Sequence, residues 1–503
     1  MLEMGKPSFL VFLLLLHCFM GSLAWTKTNI STDKSALLAL KSYITSDPYD
    51  FLANWSVSSS PCNWIGVRCD TRHRRVHSLN LGGMELKGSI SPQLGNLSIL
   101  VELDLSYNNF YGQIPKDLVR LRNLKLFNLS YNDFHDEQVP TWIGDLSSLV
   151  QLSVRNNSLN GFIPLSLFNL SSLEIIDCNF NFIEGTIPLE VGRLKQLKIL
   201  RLEGNKLSGN IPHTISNLSS IELLSLSYNS LSGGIPNEIG HLSQLKILYL
   251  GVNQLAGSIP SSIFNNSVLQ EIDLSTNQLS GEIPSSLFSI STLRVVDFTQ
   301  NNLNGSVPTS IDNGTKLEVL YLGYNSFIGE IPSSLFSIST LRVVYFNQNN
   351  LSGSLPTSIN NGTRLEDLVL RFNSFIGEIP SFIWNMPSLR LAMFSENHFK
   401  GNLPDEICHQ LPLLEILGVT CNQFEGSIPQ SITNCTSLKG LYLGGNSFTG
   451  FIPKDIGNLV KLEKIDLGAN NLSGPIPPNI FNISTLTNLN LEANILLAFS
   501  HHI

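Results

Sequence analysis

Residues Leu248–Leu255 read LYLGVNQL. They follow the frame Leu-x-Leu-x-x-Asn-x-Leu, which also fits Leu103–Phe110, with phenylalanine in the last place. The alternation of leucine with other residues predicts a short strand with one buried face, because successive side chains of a strand point to opposite sides. The asparagine comes where the strand ends, so its side-chain amide is placed to bond backbone groups that a turn leaves unpaired.

The frame keeps its register along nearly the whole chain, with steps of 24 residues and two steps of 25. An earlier, degenerate copy has Leu79, Leu81 and Leu86, with Met84 in the asparagine position, which makes eighteen rows. A fixed period of this size is typical of a solenoid, in which each repeat buries its apolar face against its neighbours. The asparagine recurs at positions 108, 132, 157, 181, 205, 229, 253, 277, 301, 325, 349, 373, 397, 422, 446, 470 and 494.

Most rows continue with a second motif, Gly-x-Ile-Pro, as in Gly281–Pro284. Glycine permits a tight turn, isoleucine points into the core, and proline fixes an extended backbone. At about 4.8 Å per strand, the rows predict an α/β solenoid with a parallel sheet roughly 80 Å long on its concave face. The 83 leucines among 503 residues therefore belong to one continuous core, although length alone predicts about three domains.

The low charge excludes two classes of protein, and the N-terminal sequence predicts secretion. Only 14% of residues are charged and the formal net charge is −8, which excludes a disordered polyelectrolyte and a basic nucleic-acid binder. Lys6, the apolar run Phe9–Met20 and the small residues up to Ala24 predict a secretory signal peptide over residues 1–24. No later stretch approaches the ~20 apolar residues of a membrane helix, so we expect no membrane insertion by this chain.

The repeat resembles the plant extracellular leucine-rich repeat, Leu-x-x-Leu-x-Leu-x-x-Asn-x-Leu-x-Gly-x-Ile-Pro. Upstream, Asp33–Lys41, Trp55 and Pro61–Cys69 resemble the plant N-terminal cap. Arg75–Leu81 and Gly88–Pro92 are similar to receptor kinases of the rice bacterial-blight-resistance and elongation-factor-receptor type. The resemblance implies a right-handed superhelix with a helical N-terminal cap over residues 25–75, repeats over 76–494 and a non-repeat tail over 495–503.

Receptor kinases of this type consist of an ectodomain, one membrane helix and a cytoplasmic Ser/Thr kinase. They sense peptides, often with a shorter repeat kinase as co-receptor. The family's C-terminal cap, membrane helix and kinase have no counterpart after Asn494. The resemblance therefore implies a truncated ectodomain, not an enzyme, that binds a peptide or protein ligand in defence or developmental signalling. It implies a secreted, apoplastic chain, or the extracellular side of the plasma membrane if the gene continues into a membrane helix.

The sequence contains no His-Glu-x-x-His, no Gly-x-x-x-x-Gly-Lys-Ser/Thr and no Gly-x-Ser-x-Gly motif, so we expect no catalytic residue, cofactor or metal. Acidic residues do recur at outward strand positions. Paired carboxylates are compatible with a glycosidase, but a solvated face is the simpler interpretation. These residues are Asp104, Asp273, Asp297 and Asp466.

Six cysteines follow the signal peptide. Cys62 and Cys69 are expected to form a disulfide that ties the cap, because the six residues between them can close such a loop. Cys178 occupies a leucine position and is expected to be a small buried hydrophobe. The pairing of three others stays open: Cys408, Cys421 and Cys435.

Ligand binding by a solenoid usually falls on the concave strand face, where a rigid frame displays the variable residues of each row. Aromatic and charged side chains aligned over neighbouring strands suit a peptide-binding face. The alternative is that they are ordinary surface aromatics, some of which shield the asparagine ladder. The candidates are Tyr249, Asp297, Tyr321, Tyr324, Tyr345, Gln348, Arg371 and Phe372.

Fifteen Asn-x-Ser/Thr sequons occur, which predicts glycosylation at several of them in a secreted chain. Glycans on the outward Asn128 and on Asn156 would direct a ligand toward the middle of the chain. Receptors like this one that capture a peptide's free C-terminal carboxylate use an Arg-x-Arg pair on one strand; Arg371 is alone in its row, which disfavours that mode. The glycosylation candidates are Asn54, Asn96, Asn128, Asn169, Asn217, Asn313, Asn361, Asn434 and Asn471.

Two alternatives remain open beside the receptor hypothesis. A secreted inhibitor or decoy of a microbial cell-wall-degrading enzyme fits the lack of a membrane helix. It fits poorly with eighteen rows and no C-terminal cap, since such inhibitors are shorter and closed at both ends. The second alternative is the non-functional product of a truncated receptor-kinase gene. For the receptor hypothesis the expected partners are a peptide or protein ligand and a co-receptor repeat kinase, with no nucleic acid.

Overall fold

A computed structural model of the chain describes residues 29–312, 314–357 and 364–497. The expected signal peptide, residues 1–24, lies outside the described residues, as do the sequon asparagines Asn313 and Asn361. The described chain begins with a helical cap and continues as one stack of turns.

The cap is built on the helix Ile30–Tyr43. The Asn29 side chain caps its N-terminus by accepting hydrogen bonds from two backbone N–H groups of the first turn. Asp33 is fully buried and pairs with Arg75, the oxygen and nitrogen lying 2.6 Å apart, which links the helix to the first repeat strand. A disulfide joins Cys62 to Cys69, with their Cα atoms 5.3 Å apart.

Among the described residues, eighteen parallel strands form the concave sheet, and each strand between the two ends pairs in one register with the strands of the rows before and after it. Pairing is sequential, so the described sheet is an open ribbon, extended at its N-terminal edge by the antiparallel strand Val67–Cys69. The strands are Val76–Asn80, Glu102–Asp104, Leu126–Asn128, Gln151–Ser153, Ile175–Asp177, Ile199–Arg201, Leu223–Ser225, Ile247–Tyr249, Glu271–Asp273, Val295–Asp297, Val319–Tyr321, Val343–Tyr345, Asp367–Val369, Leu391–Met393, Ile416–Gly418, Gly440–Tyr442, Lys464–Asp466 and Asn488–Asn490.

A second set of short strands forms smaller sheets along one flank; the first of them lies in the cap, and the others follow the ladder positions. The glycine of Gly-x-Ile-Pro lies in or next to these strands with a positive φ, as at Gly281 with +82°, so the expected tight turn is present. The strands are Ile44–Ser46, Lys87–Gly88, Asn109–Phe110, His135–Gln138, Ser158–Asn160, Glu184–Gly185, Lys206–Asn210, Ser230–Gly233, Gln254–Gly257, Gln278–Glu282, Asn302–Asn304, Ile328–Gly329, Asn350–Gly353, Ser374–Glu378, His398–Gly401, Gln423–Phe424, Thr449–Gly450, Asn471–Pro475 and Ile495–Leu497.

The return path of most turns is a 3₁₀ helix. The motif proline usually precedes it in an extended conformation, as at Pro212 with φ −70° and ψ 137°. The helices are Pro61–Asn63 in the cap, then Pro92–Asn96, Lys116–Arg120, Thr141–Asp145, Leu165–Asn169, Leu189–Arg193, His213–Asn217, Asn237–His241, Ser261–Asn265, Ser285–Ser289, Ser333–Ser337, Ile383–Asn385, Gln430–Asn434, Ile456–Asn458 and Pro478–Asn482, with one short α-helix at Ile407–Gln410.

The asparagine ladder bonds the turns to one another. Asn253 donates to the carbonyls of Leu226 and Leu250 at 3.0 and 3.1 Å, and its Oδ1 accepts from the N–H of Leu231 at 3.0 Å. The Asn253 amide therefore satisfies backbone groups of its own row and of the preceding row. A polar side chain can stack in the core because these hydrogen bonds offset the free-energy cost of removing it from water.

The described chain contains a second disulfide and two free cysteines, and it lacks a long apolar helix. A disulfide joins Cys408 to Cys435, with Cα atoms 5.1 Å apart, which closes the pairing that the sequence left open. Cys178 is buried and free, and Cys421 is exposed and free. Among the described residues, no helix has the length and apolar character needed to cross a bilayer.

Candidate functional site

The residue between the two leucines of each strand defines one continuous line along the concave face, here termed the inner column. Strand pairing places Tyr249 beside Asp273, then Asp297, Tyr321 and Tyr345. The inner column continues through Val369 and Met393. Four of the sequence candidates, Tyr249, Asp297, Tyr321 and Tyr345, thus stand in this single line.

Three other candidates lie outside the strands. Tyr324, Gln348 and Phe372 come just before the ladder asparagines and adopt positive φ values of 57°, 54° and 58°. Each follows the end of its strand by three residues, so the side chain stands in the turn at the rim of the concave face, whereas the sequence placed it on the strand face. All three are exposed, and Arg371 lies between this rim and the inner column.

The inner-column tyrosines are held by neighbours on adjacent strands. Tyr249 donates its hydroxyl hydrogen to the Glu271 carboxylate, and Tyr345 donates to Asp367 at 3.1 Å. Tyr321 meets Tyr345 edge to face, with ring centroids 4.9 Å apart. Burial raises the pKa of all three tyrosines, so they are neutral hydrogen-bond donors at physiological pH.

Carboxylates dominate the middle of the concave face, and Glu271, Asp273 and Asp297 are here called the acidic stretch. Asp297 accepts from the N–H of Thr299 at 2.9 Å, and Asp273 accepts from its own turn in the same way at 2.8 Å. Burial raises the pKa of Asp297, and the nearby Asp273 adds to that rise. No inner-column position from Ser225 to Asp297 holds a cation, so the acidic stretch attracts positive charge.

A groove follows the acidic stretch toward the C-terminus, with a volume of about 500 Å³. Its lining includes the apolar or aromatic side chains of Val369, Phe372, Met393 and Tyr442, together with Arg371 and Glu396. The Arg371 guanidinium is 5.8 Å from the centre of the Phe372 ring, and its buried Nε has no hydrogen-bond partner among the described residues. The Arg371 groove therefore offers apolar surface beside an incompletely used hydrogen-bond donor.

The sequence candidates omit parts of both features. Asp273 and Glu271 belong to the acidic stretch, and Val369, Met393 and Tyr442 complete the groove. Only the register of the inner column brings these residues together, and that register was readable from the 24-residue step. Their grouping into a groove depends on side-chain packing across five rows, for which the sequence carries no local signal.

A second aromatic cluster lies near the N-terminus, away from the sequence candidates. Tyr107 and Tyr131 stack with ring centroids 4.2 Å apart, and the Arg155 guanidinium lies 5.7 Å from Tyr131 and 5.2 Å from Phe180. The sequon residue Asn156 is exposed beside this stack.

Known proteins resemble this chain over most of its length. A family model described as "Leucine rich repeat N-terminal domain" matches residues 30–70, and one described as "Leucine rich repeat" matches 195–255 and 412–472. The ectodomain of the Arabidopsis receptor kinase HAESA, solved with the peptide hormone IDA and the co-receptor SERK1, is 33% identical with a TM-score of 0.82. That alignment covers 92% of this chain and 82% of the HAESA chain.

The chain belongs to the family of plant leucine-rich-repeat receptor-kinase ectodomains. The GASSHO1/SCHENGEN3 ectodomain of Arabidopsis thaliana, solved with CASPARIAN STRIP INTEGRITY FACTOR 2, is also 33% identical, with a TM-score of 0.77 over 92% of this chain and 62% of that one. The Arabidopsis receptor kinase EFR is 47% identical over 103 residues. The EFR match spans 20% of this chain and only 10% of the length of EFR. The predicted plant-type solenoid and the predicted family are thus confirmed.

Proposed function

We propose that the concave face of this ectodomain binds an extended peptide that crosses the rows. The observation that carries the proposal is the change of character along the inner column. Carboxylates at Asp273 and Asp297 give way, beyond two tyrosines, to the apolar positions Val369 and Met393. A matching peptide places basic side chains over the acidic stretch and an apolar side chain in the Arg371 groove.

The row spacing sets the distance between these two parts of the peptide. Asp297 and Val369 are three rows apart, which is roughly 14 Å at about 4.8 Å per strand. An extended peptide advances about 3.3 Å per residue, so its basic and apolar anchors are about four residues apart.

Each contact has a chemical basis. The acidic stretch steers lysine or arginine by charge complementarity. Tyr321 and Tyr345 offer rigid aromatic contact area, of the kind that dominates binding energy in protein interfaces. The Arg371 guanidinium can donate to a carbonyl or carboxylate oxygen of the peptide next to its apolar anchor, which would use the Nε–H that has no partner among the described residues.

The rest of the molecule fits this role. We propose the domain division given above, with the cap over 25–75 and the repeats over 76–494, and a secreted chain that acts outside the cell without catalysis of its own. The related HAESA structure contains a peptide hormone and a co-receptor, which supports a peptide hormone as ligand and a second repeat kinase as partner in defence or developmental signalling.

A random peptide library tests the proposal and does not require the hormone itself. The secreted full chain is immobilised and random peptides are selected on it. We expect enrichment of peptides with lysine or arginine about four residues from an aromatic or branched aliphatic residue. Enrichment of acidic peptides, or of peptides that bind equally well after the substitutions below, would contradict the proposed face.

Three variants locate the binding. Asp297→Ala should weaken peptides with a basic segment by about tenfold, equivalent to ~1.4 kcal/mol. Arg371→Ala and Tyr345→Ala should also weaken binding, because they remove contacts to the apolar end of the peptide. Glu238→Ala on an outer 3₁₀ helix is the matched control and should leave affinity unchanged. Isothermal titration calorimetry of one selected peptide against the four variants gives the comparison.

A further inference from the structure

Eight of the fifteen sequons share one position in the repeat. Each lies twelve residues after the ladder position of its own row. The eight are Asn96, Asn169, Asn217, Asn265, Asn313, Asn361, Asn434 and Asn482.

The structure gives this position a constant geometry. In all six described rows of the set, the sequon asparagine is the last residue of a 3₁₀ helix. Asn96 is partly exposed, and the other five are exposed. The helices are Pro92–Asn96, Leu165–Asn169, His213–Asn217, Ser261–Asn265, Gln430–Asn434 and Pro478–Asn482.

The sequons fall on alternate turns through the middle of the chain. From Asn169 to Asn361 the step is 48 residues, and each intervening turn carries a different residue at the same place, such as Arg193 or His241. Arg193 donates to Asn169 Oδ1 at 3.4 Å, which shows that these positions stack on neighbouring turns. Two turns amount to about 10 Å at the strands.

We infer that this edge of the solenoid, termed the glycan edge, carries N-linked glycans, one on every second turn from Asn169 to Asn361. A branched oligosaccharide is bulky, and glycans on consecutive turns would crowd each other, whereas a two-turn step leaves each one room. Asparagine side chains that are solvent-exposed at the end of a short helix carry a glycan without disturbing the core.

The glycan edge contrasts with the concave face. Beyond Asn156, no position from the concave strands to the rim residues holds a sequon, although the chain continues for fourteen more rows. Asn128 is the one sequon asparagine on a described concave strand; it is only partly exposed, and its Oδ1 accepts from Ser130 N at 3.1 Å. A glycosylated edge would close one side of the solenoid to partner proteins and leave the concave face open.

Site-by-site occupancy is the direct test. The full chain is secreted from plant cells, its glycans are removed enzymatically in heavy-oxygen water, and the labelled peptides are read by mass spectrometry. We expect label at Asn169, Asn217, Asn265 and Asn434. Recovery of these peptides unlabelled would overturn the inference, and this outcome does not depend on whether the concave face binds a peptide.

A substitution on a skipped turn tests the two-turn step. His241→Asn creates an Asn-Leu-Ser sequon between the turns of Asn217 and Asn265. We expect reduced occupancy at one of these three sites or reduced secretion. His241→Gln is the matched control and should behave as the parent. Full occupancy of all three sites with normal secretion would contradict crowding as the reason for the step.

Discussion

Two neighbouring segments of the chain, Gly281–Phe327 and Gly329–Phe375, are near copies offset by 48 residues. Their cores are alike in the structure. Phe288 and Phe336 are both fully buried, and the ladder residues Asn301 and Asn349 make the same set of backbone bonds. Most core positions have therefore been kept in both copies, although the buried Val307 corresponds to Leu355.

The outward positions of the two copies differ. Asp297 in the first copy corresponds to Tyr345 in the second, and Gly323 corresponds to Arg371. The first copy consequently ends the acidic stretch, while the second builds the Arg371 groove. The fold and the outward surface thus depend on different positions of the repeat, so a row can change its surface without changing its core.

The largest expected effect falls on the shared core. Phe288→Ala and Phe336→Ala should each lower the free energy of unfolding by about 3–5 kcal/mol, because each removes a fully buried ring. Urea unfolding followed by circular dichroism measures both, with the exposed Ser333→Ala as control. Clearly unequal losses for the two phenylalanines would show that the copies are not equivalent in packing.

The second largest effect on stability is expected for the asparagine ladder. Asn301→Ala leaves the N–H of Leu279 without its partner. The carbonyls of Leu274 and Phe298 each lose one of two amide donors and keep the other, from Asn277 and Asn325. Asn349→Ala has the same consequence one copy later. We expect each to cost about 2–3 kcal/mol, since a buried group left unpaired loses its full desolvation penalty. The same unfolding experiment measures it, and a loss near zero would mean that water replaces the amide.

The sequence was sufficient for the framework because its determinants are local and periodic. Leu-x-Leu predicts the strand, the asparagine predicts the ladder, and the constant step predicts the eighteen rows. The turn role of Asp273 and Asp297 was missed, since an aspartate on a strand looks merely solvated until the N–H two residues on is seen to point at it. The groove was missed because its lining comes from five successive rows, and no local pattern in the sequence shows how those side chains pack together.

We expect an intermediate effect on stability when Gly323 of the first copy is replaced by arginine, which is the residue at the corresponding position, Arg371, of the second copy. A Cβ on Gly323 would lie 2.7 Å from Asn347 Oδ1 in the next row, whereas the residue that follows Arg371 in that line is the smaller Ser395. Gly323→Arg should therefore cost about 1–3 kcal/mol through overpacking.

Adding Asn347→Ser to Gly323→Arg should recover most of that loss, because it reproduces the surroundings of Arg371. Thermal unfolding of the single and double variants gives the answer. If the double variant is no more stable than the single one, the contact with Asn347 is not what keeps arginine out of the first copy.

The smallest expected effect is the pH dependence of stability that Asp297 causes. The corresponding residue of the second copy, Tyr345, is not a carboxylate. Burial raises the pKa of Asp297 in the folded state above its unfolded value. The protonated carboxyl is thus favoured by folding, so this contribution to stability is present at low pH and is lost as pH rises through the folded pKa. Ionised Asp297 therefore costs stability at neutral pH, which is consistent with a carboxylate kept for a ligand rather than for the fold.

Asp297→Ala tests this through the slope of stability against pH rather than through its absolute value, because the variant also loses the bond from Thr299 N at every pH. Relative to the parent, the variant should gain stability between about pH 3 and pH 7, by a fraction of the core losses. Binding of a basic peptide by the parent should weaken as pH falls through the same range, since protonation removes the attracting charge. The exposed Ser333→Ala, which removes no hydrogen bond to a carboxylate, is the control and should keep the parent's slope. If Asp297→Ala also kept the parent's slope, Asp297 would be an ordinary surface carboxylate, and the distinction between the two copies would rest on Arg371 and its groove alone.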